Sequence, residues 1–206
     1  MSISTTIIIV AVTVLVSVLC FNNAGLFYGL SLNPYAMTKR GQWYRLITHG
    51  FVHGSFMHLF INAFVLWSFG SYVESFLSAI SYRPNLWFMV LYFGGMAISA
   101  IPDIVKFRNY PQYNSIGASG AVSAVLFASV TADPWGKILL MGVIPMPSII
   151  FAICYLLYEN YLGKRGGDNV NHKAHIWGAL FGFALPFIIN PQIGKIFFRV
   201  LLHPVF

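Results

Sequence analysis

Six apolar stretches, at 5–21, 56–80, 85–104, 116–132, 138–157 and 174–189, constrain this chain more than any other feature. A bilayer core about 30 Å thick is crossed by about 20 helical residues, and each stretch approaches that length. None shows the sustained alternation of barrel strands. The expected fold is therefore all-α, a polytopic membrane bundle of six transmembrane helices. Composition agrees: the chain is 58% hydrophobic and 8% charged, against roughly 25% charged in soluble domains. The 206 residues fit a single domain, 1–206, with 191–206 as a short tail. Pro145 and Pro147 interrupt the fifth stretch, so its helix is expected to begin near Pro147, after residues that enter as a loop or at an angle. Residues 22–55 are too polar and too numerous for a simple turn, yet carry Leu26, Trp43, Ile47 and Phe51; they are expected to form their own substructure at the interface. The tail over 193–202 alternates Lys195 and Arg199 with Ile and Phe, the pattern of a short amphipathic end lying on the membrane.

The net charge is +7, from twelve basic and five acidic residues. The basic residues are spread among the loops without a contiguous patch, which favours anionic lipid headgroups over nucleic acid as the charged partner. Cys20 and Cys154 both sit among apolar residues and read as packing thiols. The first apolar stretch has no basic residues before it and no small-x-small site after it, so a retained helix is expected rather than a signal peptide.

Polar side chains inside a membrane are expensive and therefore mark candidate sites. Gly117-Ala118-Ser119-Gly120 opens the fourth stretch, with Ser119 expected about one turn into the helix. Gly117, Gly120, Ala121, Ala124 and Ala128 continue from it as a stripe of small residues. On the sixth stretch Gly178 and Gly182 form a GxxxG pair, with His175 one turn before Gly178. Two such smooth faces can pack closely and bring a hydroxyl and an imidazole within hydrogen-bond reach, the arrangement of an activated serine. Taken singly, each residue reads better as polar glue between helices. The coincidence of two small-residue stripes, each carrying one member of the pair, favours chemistry. His58 and Asn62, four apart on the second stretch, share one face and offer uncharged N–H donors suited to an oxyanion.

Other chemistries fit less well. The histidines at 49, 53, 58, 172 and 175 suggest a metal, but the helical zinc motif needs Glu after the first His, and Gly50 stands there. No metal or cofactor is expected. Asp103, Asp133 and Asp168 fall at predicted helix ends or in loops, so a pair of convergent carboxylates is not offered. The nucleophile-elbow pattern GxSxG fails at Ala121.

On these residues the chain resembles the rhomboid intramembrane serine proteases. Their GxSG is met by Gly117 to Gly120, their AHxxGxxxG by Ala174 to Gly182, and their HxxxN by His58 to Asn62. The Trp-Arg element of the first loop is met in part, with Arg45 preceded by Tyr44 and Trp43. The similarity runs from about 41 to 190, the implied catalytic core. It implies Ser119 as nucleophile, His175 as base, and His58 and Asn62 with the Ser119 amide as oxyanion hole. No Asp is placed to orient the histidine, so the implied mechanism is a Ser-His dyad that cuts transmembrane substrates through an acyl-enzyme. Many relatives carry Tyr or Phe one turn after the serine, stacked on the histidine; this chain has Ser123. Family topology puts the amino terminus in the cytoplasm, which leaves most basic loop residues, Lys39, Arg40 and Arg45 among them, outside and so opposes the positive-inside rule. Short loops point to a bacterial cytoplasmic membrane. The competing readings are an inactive rhomboid-like factor that binds membrane proteins, and a small transporter, for which broken-helix coordination sites are missing.

Overall fold

The computed structural model describes residues 4–140, 143–167 and 170–203. Its first apolar helix, α1 (Thr5–Phe21), begins against a carboxylate from the next long helix, α5 (Phe56–Ile80). Glu74 accepts hydrogen bonds from Ser4 Oγ at 2.8 Å, Thr6 N at 2.6 Å and Thr6 Oγ1 at 3.0 Å. An acid in a membrane helix thus finds the orphan N–H groups of a neighbouring helix start, where the helix dipole also favours negative charge.

Between α1 and α5 the polar segment folds as α2 (Ala24–Leu30), α3 (Pro34–Arg40), α4 (Arg45–Thr48) and a 3-10 turn at His49–Phe51. Arg45 is buried at its centre. Its Nη1 donates to Tyr28 O at 2.6 Å and Ser31 O at 2.7 Å, and its Nε to Gln42 Oε1 at 2.7 Å. A guanidinium has the five donors to satisfy the unpaired carbonyls at the end of α2. The segment is also tied to the chain leading into the fourth stretch, through paired Leu32 and Ser115 backbones and through Asn33, whose Nδ2 donates to Pro111 O and Tyr113 O.

Helix α6 (Pro84–Phe107) outruns its expected span of 85–104 and passes through Pro102. Helix α7 (Ser119–Ala132) begins three residues later than the expected 116, so Ser119 is its first residue rather than one turn in. Gly120 to Thr131 are all buried, because a helix of small and apolar residues on every face is suited to the centre of a bundle. Its 14 residues span only about 21 Å, so it is shorter than a bilayer core.

In the fifth stretch the helix begins where expected, just after Pro147, but paired strands precede it rather than a loop. Strand β1 (Lys137–Leu140) pairs antiparallel with β2 (Ile144–Pro147), Lys137 to Pro147 and Leu139 to Pro145. Proline lacks an N–H and belongs on an edge strand, which every strand of a two-stranded sheet is. The helix, α8 (Ser148–Arg165), starts immediately after Pro147 and continues eight residues past the expected end at 157. Its first N–H groups are met by Gly136 O and Pro134 O at 2.8 and 2.9 Å. Cys154 is exposed on α8, not packed; Cys20 is buried.

Helix α9 (His172–Ile189) is capped by Asn171, whose side chain accepts from Ala174 N. It is followed at 117° by α10 (Gln192–Leu202), which lays Phe197 against Phe183 and Phe187. Among the described residues, α5 and α6 are each long and apolar enough to cross a membrane, and α9 with α10 form a bent pair that passes together; α1 and α7 are apolar but shorter.

Two buried histidines in the α4–α5 segment make stability depend on pH. Burial lowers His49 to about 4, against partial compensation from backbone hydrogen bonds, and lowers His53 to about 3, with His58 nearby adding to the effect. Unfolded imidazoles titrate near 6.5, so between that value and the folded ones the unfolded chain binds more protons. Stability is then fully present above about pH 6.5 and declines on acidification, by up to about 1.4 kcal/mol per pH unit for each histidine. Thermal unfolding of the detergent-solubilised protein is expected to show a melting temperature that falls from pH 7 to pH 4, with a shallower slope in His53→Asn. A melting temperature flat over that range would contradict the burial of these rings as neutral species.

Candidate active site

Ser119 owes its position to a turn that only glycine accommodates. Gly117 has φ 106°, and a Cβ there would lie 2.7 Å from His58 Cε1. The turn is braced from the α4–α5 segment: Gly117 N donates to His49 O at 3.0 Å and Ala118 N to His53 Nε2 at 3.4 Å. Accepting at Nε2 places the His53 proton on Nδ1, which faces Ser17 Oγ at 2.9 Å; that hydroxyl in turn donates to Phe51 O. His53 is therefore a scaffold of the serine turn rather than a ligand. His49 similarly donates from Nδ1 to Arg45 O.

The small-residue stripes pack as the spacing requires. A Cβ on Gly178 would lie 2.0 Å from Gly120 O, and one on Gly182 2.0 Å from Ala124 O, so α7 and α9 touch backbone to backbone. Gly95 of α6 adds a third close approach, against Ala124. Ser119 precedes Gly120 and His175 precedes Gly178 by one turn, and both residues line one cavity of about 1570 Å³ together with His58, Asn62, Tyr155 and Glu159. Ser119 and His175 are half-buried and share this wall, but no hydrogen bond joins them in the resting geometry. Such contacts are often long in unliganded enzymes and tighten with substrate.

His58 lies over Gly117 and edge-on to His53, with ring centroids 4.8 Å apart. Asn62 is buried and donates through Nδ2 to His58 O at 2.9 Å. A carboxamide nitrogen carries two hydrogens, so one remains for the cavity.

Two features escaped the sequence reading. Ser123 Oγ pairs with Tyr155 OH of α8 at 2.9 Å. Glu159, one turn beyond Tyr155, presents Oε2 to His172 Nδ1 at 2.7 Å and Oε1 to His175 Nδ1 at 3.1 Å. The signal in the sequence was weak, because Glu159 lies two residues past the apolar stretch that ends at 157, where an acid reads as part of a polar helix end. Of the aspartates, Asp103 is buried against Tyr113 OH and Asn171 Nδ2, Asp133 caps α7, and Asp168 lies outside the described residues. The donor atoms of Glu159, His172 and His175 fall within 4.8 Å of one another, a metal-like spacing. Each imidazole Nδ1 there faces a carboxylate oxygen of Glu159.

A helical membrane bundle with a polar cavity, in which a serine and a histidine stand on two helices in backbone contact, is the class that fold and site define. The chain belongs to the rhomboid family: the family model described as Rhomboid domain matches residues 40–192. It is similar to presenilin-associated rhomboid-like protein A, mitochondrial, of Danio rerio, at 34% identity over 66% of this chain and 35% of that protein. It is also similar to rhomboid-like protein 11, chloroplastic, of Arabidopsis thaliana, at 31% identity over 72% of this chain and 53% of that one. A third relative is the putative rhomboid protease YdcA of Bacillus subtilis, at 28% identity over 72% of this chain and 68% of that protein. The chain thus spans about a third of the length of its mitochondrial relatives and half that of the chloroplastic one. It is an integral membrane protein.

Proposed function

We propose that this protein is an intramembrane serine endopeptidase whose nucleophile is Ser119 and whose base is His175. The observation that carries the reading is the backbone contact of α7 with α9, which puts both residues on one cavity wall inside an apolar bundle.

The reaction is acyl transfer. Neutral His175 takes the Ser119 proton at Nε2 while Oγ bonds to the carbonyl carbon of the scissile peptide. The oxyanion is held by the N–H of Ser119, an orphan donor of the helix start, with His58 and Asn62 beside it. The imidazolium then returns its proton to the departing amine as the C–N bond breaks. Water, activated by the same imidazole, releases the acyl group. Asn62, Gln112 and Asn114 line the same cavity as Ser119 and offer polar partners to that water. A carbonyl locked in helical hydrogen bonds is not open to attack, so the favoured substrates are transmembrane segments that unwind locally near the cut.

The short loops expected of a bacterial cytoplasmic protein stand against relatives named for mitochondria and chloroplasts, which do not support that assignment.

The test is cleavage in proteoliposomes of a single-pass peptide bearing a helix-destabilising pair, against the same peptide without it. Cleavage of the first alone is expected; failure to cut either, while a known rhomboid protease cuts the first, would leave the membrane-protein-binding factor as the reading. In the same assay Asn62→Ala is expected to lower kcat by about 10²–10³ without abolishing it, the cost of one oxyanion donor. Wild-type kcat in that variant would remove Asn62 from the oxyanion site.

A further inference from the structure

We infer that Glu159 is the positioning residue for His175, so that the proposed pair works as a three-member relay in which one carboxylate is shared by two histidines. The inference rests on the proteolytic reading of Ser119 and His175.

Glu159 is buried on α8, with 8% of its side chain exposed, and projects toward the first turn of α9. An ionised carboxylate there needs partners, since an unpaired buried charge is among the most costly groups a protein can hold. His172 alone would serve that need, with its Nδ1 at 2.7 Å from Oε2. The other oxygen is nonetheless placed 3.1 Å from His175 Nδ1. That nitrogen is buried and has no aligned hydrogen bond in the resting geometry, so Glu159 is the acceptor within reach but off the N–H line.

A carboxylate only accepts, so the nitrogen facing it carries the proton. With the His175 proton held at Nδ1, Nε2 keeps its lone pair, which is the form a base for Ser119 must have. The same contact resists rotation of the ring. No aromatic from α7 does that here, because Ser123 occupies the position one turn after Ser119 and is turned to Tyr155. His172, three residues before His175 and edge-on to it at 6.2 Å between centroids, anchors the far side of the carboxylate. Straightening of the 3.1 Å contact on substrate binding would favour the imidazolium as it forms. Nothing of Glu159 touches the reacting atoms; it acts through His175.

The experiment uses the full chain in proteoliposomes, with kcat, KM, melting temperature and fluorophosphonate labelling measured for wild type, Ser119→Ala, Glu159→Gln and Glu159→Asp. Loss of the orienting carboxylate costs up to about 10⁴ in kcat where the contact is aligned, and here at least about tenfold is expected for Glu159→Gln. KM is expected within about twofold of wild type, since substrate is not contacted. Glu159→Asp, which keeps the charge on a shorter stem, is expected to fall between. Glu159→Gln with wild-type kcat, in a protein whose Ser119→Ala form is inert, would overturn the relay alone. So would a fall in kcat that tracks a matching fall in melting temperature, because that is the mark of packing. A wild type that neither cleaves nor labels at Ser119 would overturn the proteolytic reading and this inference with it.

Discussion

Ser119→Ala is expected to reduce cleavage of a transmembrane peptide to background, a loss of at least about 10⁴-fold, without lowering the melting temperature. The size follows from covalent catalysis. Removing Oγ removes the atom that bonds to the substrate, and Ser55, another cavity serine at a helix start, has its Oγ engaged by His58 N as the cap of α5. Ser123, the nearest hydroxyl along the same helix, is buried and occupied by Tyr155. The fold should be indifferent, because the turn is set by the Gly117 backbone and by His49 and His53 rather than by the serine side chain. Measured side by side, kcat and thermal unfolding separate these claims. Retention of more than about 1% of kcat in Ser119→Ala would mean another nucleophile.

Gly178→Val is expected to be the most damaging substitution for the fold itself. A Cβ at 178 meets Gly120 O at 2.0 Å and Gly120 C at 2.8 Å, and both are backbone atoms that cannot swing aside. The helices must separate, and overpacking of this kind costs about 1–3 kcal/mol or more even where side chains can yield. Separation also moves His175 away from Ser119, since each lies within a turn of the contact. Activity is therefore expected to vanish, with a melting temperature lowered by several degrees for even Gly178→Ala. Gly29→Ala is the control: nothing lies within 4 Å of its Cβ, and a wild-type protein is expected. Equal melting temperatures for the 178 and 29 variants, read by thermal unfolding in detergent, would contradict the backbone contact.

These two predictions rest on features that the sequence carried openly. A helix needs small residues at fixed spacing to approach another backbone, and Gly117-x-x-Gly120 with Gly178-x-x-x-Gly182 can be read without coordinates. Apolar length likewise located α1 and α5 to the residue. What was hidden depended on contacts between distant segments. Glu159 lies in the part of α8 that follows the expected helix end, and its distance to His175 depends on how α8 and α9 meet. The pairing of β1 with β2 was concealed because Ile138, Leu139 and Leu140 are as apolar as any membrane helix, and only the two prolines hinted otherwise. His49 and His53 read as metal candidates because composition shows imidazoles but not the carbonyls and hydroxyls they bond. Asn62 was assigned as a donor to the cavity, and half of that capacity is spent on its own helix at His58 O.

The central claim is that one hydroxyl at the start of α7 is activated by one imidazole at the start of α9. The most direct measurement is the site and rate of modification by a serine-directed fluorophosphonate on the full chain in lipid, mapped by mass spectrometry. A single adduct is expected on the peptide containing Ser119, formed at least about 100-fold more slowly in His175→Ala, because general-base assistance is worth about 10²–10⁴. An adduct elsewhere, no adduct at all, or an equal rate in His175→Ala would contradict the claim.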